Sequence, residues 1–234
     1  MCNRGLAGTL AHPSHRVKFL QINIDRKAAT HDVVMSRARR DGVDVLIVSE
    51  PNKKLCKRLG WFADERMDAA VAIFGTNVAV VGGGGGRGFA WAELSGAFVY
   101  ACYCSPNVDR RHWEDFLEGL SSDIRARDKP VIVAGDFNSK AAEWGSPTEN
   151  DRGAMLTEWL SSAGLVVLNQ GGGRPTFLRN TQESHIDITM CSEGLVGRMS
   201  NWRVLSEETL GWHRQTGGKL DGVTWRGRHS GRAD

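Results

Sequence analysis

The sequence predicts an α/β domain, and three features carry that expectation. Short, largely β-branched apolar runs recur, and the strongest of them, Val131 to Ala134, stops at Gly135 just before Asp136. The stretch Val17 to Asp25 alternates in its second half, with Leu20, Ile22 and Ile24 on one face and Gln21, Asn23 and Asp25 on the other. Between such runs lie helical stretches, the clearest of which sets Trp113, Phe116, Leu117, Leu120 and Ile124 along one amphipathic stripe.

In chain order, Met1 to Arg16 has no apolar signal-peptide core and reads as a flexible leader. The alternating strand Val17 to Asp25 follows, then a helix from Ala28 to Arg40 that ends before Asp41-Gly42. Val43 to Glu50 is a second apolar strand that delivers a carboxylate at its end, where Pro51 stops the ladder. Ala69 to Phe74 and Asn77 to Val81 read as a hairpin around Gly75-Thr76. The five glycines Gly82 to Gly86 lack the spacing and the Lys-Ser/Thr of a phosphate loop, and are assigned to a mobile hairpin tip. Phe89 to Leu94 and Ala97 to Cys104 form another strand pair around Ser95-Gly96, placing Tyr103 near a strand end.

Asp109 is the expected N-cap of the helix reaching Arg127, and the Val131 strand follows it. A helix over Gly153 to Ala163 precedes a short strand, Leu165 to Leu168. Pro175 to Thr189 reads as a hairpin whose polar tip carries Arg179 and Asn180 and whose return strand carries Asp187 between Ile186 and Ile188. Trp202 to Leu205 forms a last strand leading to His213, and Arg214 to Asp234, rich in glycine and arginine, reads as a disordered tail.

Composition narrows the function classes. A chain of 234 residues with 41% hydrophobic and 24% charged residues can bury a proper core. Its net charge of +3 permits a nucleic-acid partner without demanding one. Five cysteines with no Cys-x-x-Cys or paired Cys/His spacing argue against a disulfide framework and a zinc site, and fit reduced thiols in an intracellular protein. No apolar run is long enough to span a bilayer, so no membrane partner is expected.

The polar candidates fall at or beside strand ends: Asn23, Asp25, Glu50, Tyr103, Asp136, Asn138 and Asp187, with His213 late in the chain. Asp136 and Asn138, two residues apart, would point to one side with Phe137 turned into the core. Taken alone, Gly135-Asp-Phe-Asn138 is equally a turn or a site, because Asp and Asn favour both. Tyr103 either caps the core or lends its hydroxyl to a phosphate oxygen. Asp187, flanked by isoleucines, is partnered or functional, since an unpaired buried carboxylate is costly. No Ser, Cys or Lys sits in a nucleophile context. Several acids with amides, a tyrosine and a histidine suit metal-assisted hydrolysis of a phosphate ester, with oxygen donors matching Mg²⁺ or Mn²⁺.

Gln21-x-Asn23, Ser49-Glu50-Pro51, Gly135-Asp-Phe-Asn138, Thr176-Phe177 and Ser184-x-Ile-Asp-Ile-Thr189 occur in the order seen in the endonuclease/exonuclease/phosphatase family. Within that family the chain resembles the apurinic-type endonuclease domains of non-LTR retrotransposons, above all the arthropod elements inserted in large-subunit ribosomal RNA genes. The resemblance covers 17–213, which sets a leader at 1–16 and a tail at 214–234 outside the endonuclease domain. It implies a four-layer α/β sandwich, two packed mixed sheets flanked by helices. It implies that Glu50 binds Mg²⁺ (or Mn²⁺) with Asp25 nearby and that Asn23 orients the cluster. Asp136 would position or deprotonate water, Asn138 and Tyr103 would hold phosphate oxygens, and His213, oriented by Asp187, would contact the scissile phosphate.

The implied reaction nicks duplex ribosomal DNA in the nucleus, leaving a 3′-hydroxyl that primes a reverse transcriptase carried on the same longer polypeptide. Arg179 and Asn180 are the expected DNA-reading residues. The family pattern closes with Ser-Asp-His and an apolar strand, whereas this chain reads Gly211-Trp212-His213 before a glycine-rich stretch. That departure implies the alternative of a DNA-binding module with impaired cleavage. A third reading keeps the chemistry and changes the substrate to a small phosphomonoester or phospholipid.

Overall fold

The computed structural model describes residues 15–54, 56–57, 59–76, 78–169, 173–205, 213–214 and 216–223. The strands are β1 His15–Asn23, β2 Val45–Ser49, β3 Trp61–Ala63, β4 Ala69–Ile73, β5 Val80–Gly86, β6 Phe89–Leu94 and β7 Phe98–Tyr103. They continue with β8 Val131–Asp136, β9 Leu165–Val167, β10 Phe177–Arg179, β11 Gln182–Ser184, β12 Asp187–Ser192, β13 Met199–Val204 and β14 Thr216–Val223. The helices are α1 Ala28–Arg40, α2 Arg110–Arg125 and α3 Asp151–Ala163.

Two six-stranded sheets form, ordered β13-β14-β1-β2-β4-β3 and β5-β6-β7-β8-β12-β9. Each is mixed, because β1 runs parallel to β2 and β7 parallel to β8 while their other pairings are antiparallel. Period-two alternation sorts the apolar side chains into layers. Phe19, Val45, Ile47, Val71, Val99, Ile132 and Ala134 pack between the sheets. Leu20, Ile22, Leu46 and Val48 turn outward onto Val34 and Ala38 of α1. Tyr100, Val131 and Val133 turn the other way onto Trp113, Phe116 and Leu120 of α2 and Leu156 and Trp159 of α3. This is the expected four-layer sandwich. Asp109 caps α2 by accepting from the His112 amide, and Asn150 caps α3 by accepting from Gly153.

Four expectations change. The glycine run is strand β5, paired antiparallel with β6 from Val80↔Leu94 to Gly86↔Phe89. A Cβ on Gly83 would fall 2.1 Å from the Phe62 ring, and one on Gly86 would fall 2.4 Å from the Phe89 ring. The glycines therefore make room for aromatic rings laid on the strand, a packing role that composition does not distinguish from a loose tip. The hairpin around Gly75-Thr76 does not form. β4 pairs with β2 and β3, and the chain then crosses to the other sheet at β5.

The hairpin after Pro175 is shorter than expected, β10 with β11, and Asp187 opens a separate strand between β8 and β9. Finally, β13 is followed by β14, which lies between β13 and β1 within the stretch read as a tail. Its sequence, Thr-Gly-Gly-Lys-Leu-Asp-Gly-Val, carries too few apolar residues for the usual strand signal. Pairing on both edges supplies the backbone hydrogen bonds instead. Residues 1–14 and 224–234, and Gly211 and Trp212, lie outside the described residues.

Gly135 is the tightest point of the second sheet: a Cβ there would meet the Cys102 carbonyl oxygen at 2.0 Å. Backbone cannot rotate aside as a side chain can. Gly135→Ala is expected to lower unfolding stability by about 1–3 kcal/mol, measured by urea denaturation. An unchanged midpoint would contradict this register.

Candidate active site

The C-terminal ends of both parallel pairs, β1–β2 and β7–β8, meet at one edge of the sandwich. Beneath that edge the layer between the sheets changes from apolar to polar. The Ser49 hydroxyl donates to the Cys102 carbonyl at 2.9 Å and accepts from the Asp136 amide at 3.0 Å, tying the sheets together. Gln21 accepts from the hydroxyls of Thr189 at 2.8 Å and Thr216 at 3.0 Å, binding β1 to β12 and β14. Thr176 accepts from the amides of Ile186 and Asp187, which sets the start of β12.

Above this seam the expected residues assemble. The Asn23 amide donates to Glu50 at 3.0 Å and to Asp136 at 2.9 Å, bridging the two sheets, while its oxygen accepts from the Asp25 backbone. Asp187 sits opposite Asp136 in the β12–β8 register. Its carboxylate bonds the Nδ1 side of His213 at 2.9 Å, and the other ring nitrogen lies 3.7 Å from Asp136. Phe177 packs edge-on against the imidazole, and the Arg214 amide donates to Thr176. The histidine is thus held from both sides although the two residues before it depart from the family pattern.

Asp136 and Asn138 do face one way, and Phe137 is buried against Phe116. The Asn138 side chain donates to the Cys104 carbonyl and its backbone amide to Asp136. Asp25, Glu50, Tyr103, Asp136, Asn138 and His213 line a single cleft of about 570 Å³, which the β10–β11 hairpin borders through Phe177, Arg179 and Gln182. Asn180 occupies the exposed hairpin turn, away from the cleft wall. Lys140 and Asn150 also line the cleft, and Arg26 lies 3.7 Å from Glu50. None of these three was expected from the sequence. Arg26 follows Asp25 directly, but a lone cation after a strand is a weak signal.

The backbone is strained here. Asp25, Arg26, Glu50 and Asn138 all have positive φ, four of the seven such non-glycine residues among those described. Left-handed conformations are costly for residues with a Cβ and persist where surrounding bonds over-determine them. Here the Arg26 amide donates to the Glu50 carbonyl at 2.9 Å, and the Glu50 amide to Asp68 at 2.7 Å.

The electrostatics favour proton transfer. Burial, with the charge of Asp187 beside it, pushes the Asp136 carboxyl up to about 7, against the pull of His213 and the Asn23 bond. Burial opposes a charged His213, but Asp187 and then Asp136 outweigh it and raise the imidazole to about 9. Burial, and then the negative Glu50 and Asp136, raise the Tyr103 hydroxyl far above its usual range, so it stays a neutral donor.

Two donor sets could meet a divalent cation. Asp136, Asp187 and His213 bring ligand atoms within 4.8 Å of one another, but all three are buried and already bound to each other. Glu50 and Asp25 open onto the cleft, and Glu50 and Asp136 share one neutral amide. The Lys27 partner of Asp25 is an exposed pair, of the kind that contributes little. This surplus of carboxylate oxygen fits a hard cation such as Mg²⁺ or Mn²⁺ better than the buried triad does.

Comparison with known proteins gives a consistent picture. The model of the family described as Endonuclease-reverse transcriptase matches residues 97–216, about half of the chain. A probable RNA-directed DNA polymerase from transposon BS of Drosophila melanogaster is 36% identical over 73 residues, 30% of this chain. A putative 115 kDa protein in the type-1 retrotransposable element R1DM of the same organism is 23% identical over 217 residues, 80% of this chain. The chain spans only 7% and 20% of the lengths of these two relatives.

Among solved structures, the endonuclease domain of TRAS1, a telomere-specific non-LTR retrotransposon, superposes with a TM-score of 0.76 at 22% identity. That match covers 90% of this chain and all of the TRAS1 domain. The 3′ phosphatase NExo from Neisseria, bound to a product DNA hairpin, gives 0.62 at 15% identity, covering 88% of this chain and 99% of NExo. At these identities the likeness establishes the fold.

Proposed function

The chain belongs to the endonuclease-reverse transcriptase family, and from that premise we propose that its cleft is the active site of a divalent-metal-dependent endonuclease that nicks duplex DNA. The supporting observation is the buried Asp136, held by Asn23 on one side and facing the His213–Asp187 pair on the other, at the floor of a carboxylate-lined cleft. A carboxyl poised near neutrality is suited to take a proton from water.

In this reading a phosphodiester lies along the cleft. Tyr103 and Asn138 donate to its non-bridging oxygens, and the imidazolium of His213 faces the charge that builds there. Asp136 orients water and takes its proton as the oxygen attacks phosphorus. The bond from phosphorus to the 3′-oxygen breaks, and that oxygen leaves as an alkoxide that takes a proton from solvent to become the hydroxyl, while the phosphate stays on the 5′ end. A divalent cation held by Glu50 with Asp25 would supply positive charge to the phosphoryl and leaving oxygens.

Arg179 and Asn180, on the hairpin bordering the cleft, are the proposed DNA-reading residues. The target is ribosomal DNA in the nucleus, and the 3′-hydroxyl primes a reverse transcriptase on the same longer polypeptide. The β14 strand behind His213 and the intact Asp187–His213 bond support a working site over an impaired one. The test is end mapping on a plasmid carrying a large-subunit ribosomal gene, with Mg²⁺. Nicks concentrated at one ribosomal site, extendable by polymerase without phosphatase treatment, are expected. Scattered nicks would overturn the target, and ends that cannot be extended would overturn the product.

A further inference from the structure

Of the two side chains proposed to hold the phosphate, Tyr103 ends β7 and Asn138 lies in the loop after β8, and the first turn of α3 touches the loops that follow both strands. Asn138 donates to the Cys104 carbonyl at 3.1 Å, and Cys104 is the residue that joins Tyr103 to Ser105. Arg152, in that turn, spends its guanidinium on the same loop. One terminal nitrogen donates to the Ser105 carbonyl at 2.9 Å, and the other to Val108 at 2.7 Å and Pro106 at 3.3 Å. The guanidinium carbon lies 5.2 Å from the Trp113 ring centroid. On the other side, Asn150 accepts from the Lys140 amide at 3.0 Å, and a Cβ on Gly153 would strike the Lys140 carbonyl at 1.8 Å. A three-carbonyl contact needs several donors in a fixed fork, which arginine has and lysine lacks.

We propose that Arg152 is a positioning residue for the phosphate-holding pair: it fixes the Ser105–Val108 loop and through it Tyr103 and Asn138. The proposal rests on the cleft being the DNA-cleaving site. Small displacements of such donors cost rate because they act on the transition state.

Two readouts test it and separate its failure from that of the function. The chain has two tyrosines, so ring-¹³C tyrosine labelling gives two assignable sets of NMR signals. Tyr100 is held elsewhere, by Asp123 and Arg127, and serves as an internal control. In Arg152→Gln the Tyr103 signals are expected to shift and broaden while those of Tyr100 stay. The kcat for nicking is expected to fall about tenfold to a hundredfold with KM changed less than about threefold, and Arg152→Lys should recover only part of it. In a Tyr103→Phe background the same change should cost about threefold or less, because the two losses overlap.

Unmoved Tyr103 signals, or a parent-level kcat with an active parent, overturn the inference. A parent that does not nick, with Tyr103 still displaced in the variant, overturns the nuclease reading and leaves the positioning contact standing. Should Arg152→Gln fail to fold, Arg152→Lys, which keeps the stem over Trp113, carries the same measurements.

Discussion

Asp136→Asn is expected to lower the nicking rate by about a thousandfold while duplex affinity in EDTA stays within about twofold. The amide matches the carboxylate in size and can still accept from Asn23, but it cannot take a proton from water. Stability should move the other way. Burial and Asp187 raise the Asp136 carboxyl to about 7, so its ionised form is disfavoured in the folded chain. The favourable contribution of the protonated acid is present below the unfolded carboxyl range and is lost as pH rises through about 7. At pH 8 in EDTA the asparagine variant should therefore melt no lower than the parent. A variant that nicks at a tenth of the parent rate or faster would remove Asp136 from the role of base. A large drop in melting temperature at pH 8 would contradict its costly burial.

The second large effect falls on the histidine and its acid. His213→Ala should cost about a hundredfold to a thousandfold in kcat, and Asp187→Asn somewhat less, because the imidazole stays but loses its charge partner. The two changes should be far from additive, since Asp187 acts through the ring it bonds at 2.9 Å. The pH profile of nicking should be bell-shaped. Its acid limb marks deprotonation of Asp136, at or below about 7 once a cation is present.

Its alkaline limb marks loss of the His213 proton, near 9 in the parent and lower in Asp187→Asn. The same raised imidazole makes a stability prediction for the metal-free chain. Its contribution is fully present below the ordinary histidine range near 6.5 and is lost as pH rises through about 9. Imidazole NMR of the parent reads this directly. A midpoint near 6.5 would mean that Asp187 does not hold the ring as described.

Most of the site was legible because its residues sit at the ends of strands with strong apolar signals. The runs before Glu50 and Asp136 announce themselves, and the period-two rule puts Asn23 on the face shared with Gln21. The same alternation places Gln21 two residues deeper on that face, but the two threonines it binds, Thr189 and Thr216, lie far along the chain, and no local pattern points to them. Ser49 was part of a recognised motif, but its work lies across the sandwich, at Cys102 and Asp136, and no local pattern encodes a contact between sheets.

The glycine strand and β14 depart from the sequence expectation for one reason. Both read as loose when judged by their own composition, yet β5 is ordered by the aromatic rings laid on it and β14 by strands on either side. Tertiary context outweighs β-propensity in such strands. Lys140, Asn150 and Arg152 belong to loop and helix-cap positions, where the sequence shows good capping chemistry but not which neighbouring loop it will meet.

Conversion of supercoiled plasmid to open circle measures directly whether this cleft hydrolyses a phosphodiester in duplex DNA. With Mg²⁺ the chain should produce open circles that EDTA prevents, with Asp136→Asn leaving the plasmid supercoiled. Plasmid that the parent binds in a gel shift but leaves fully supercoiled under the same conditions would mean that the cleft holds DNA without cutting it.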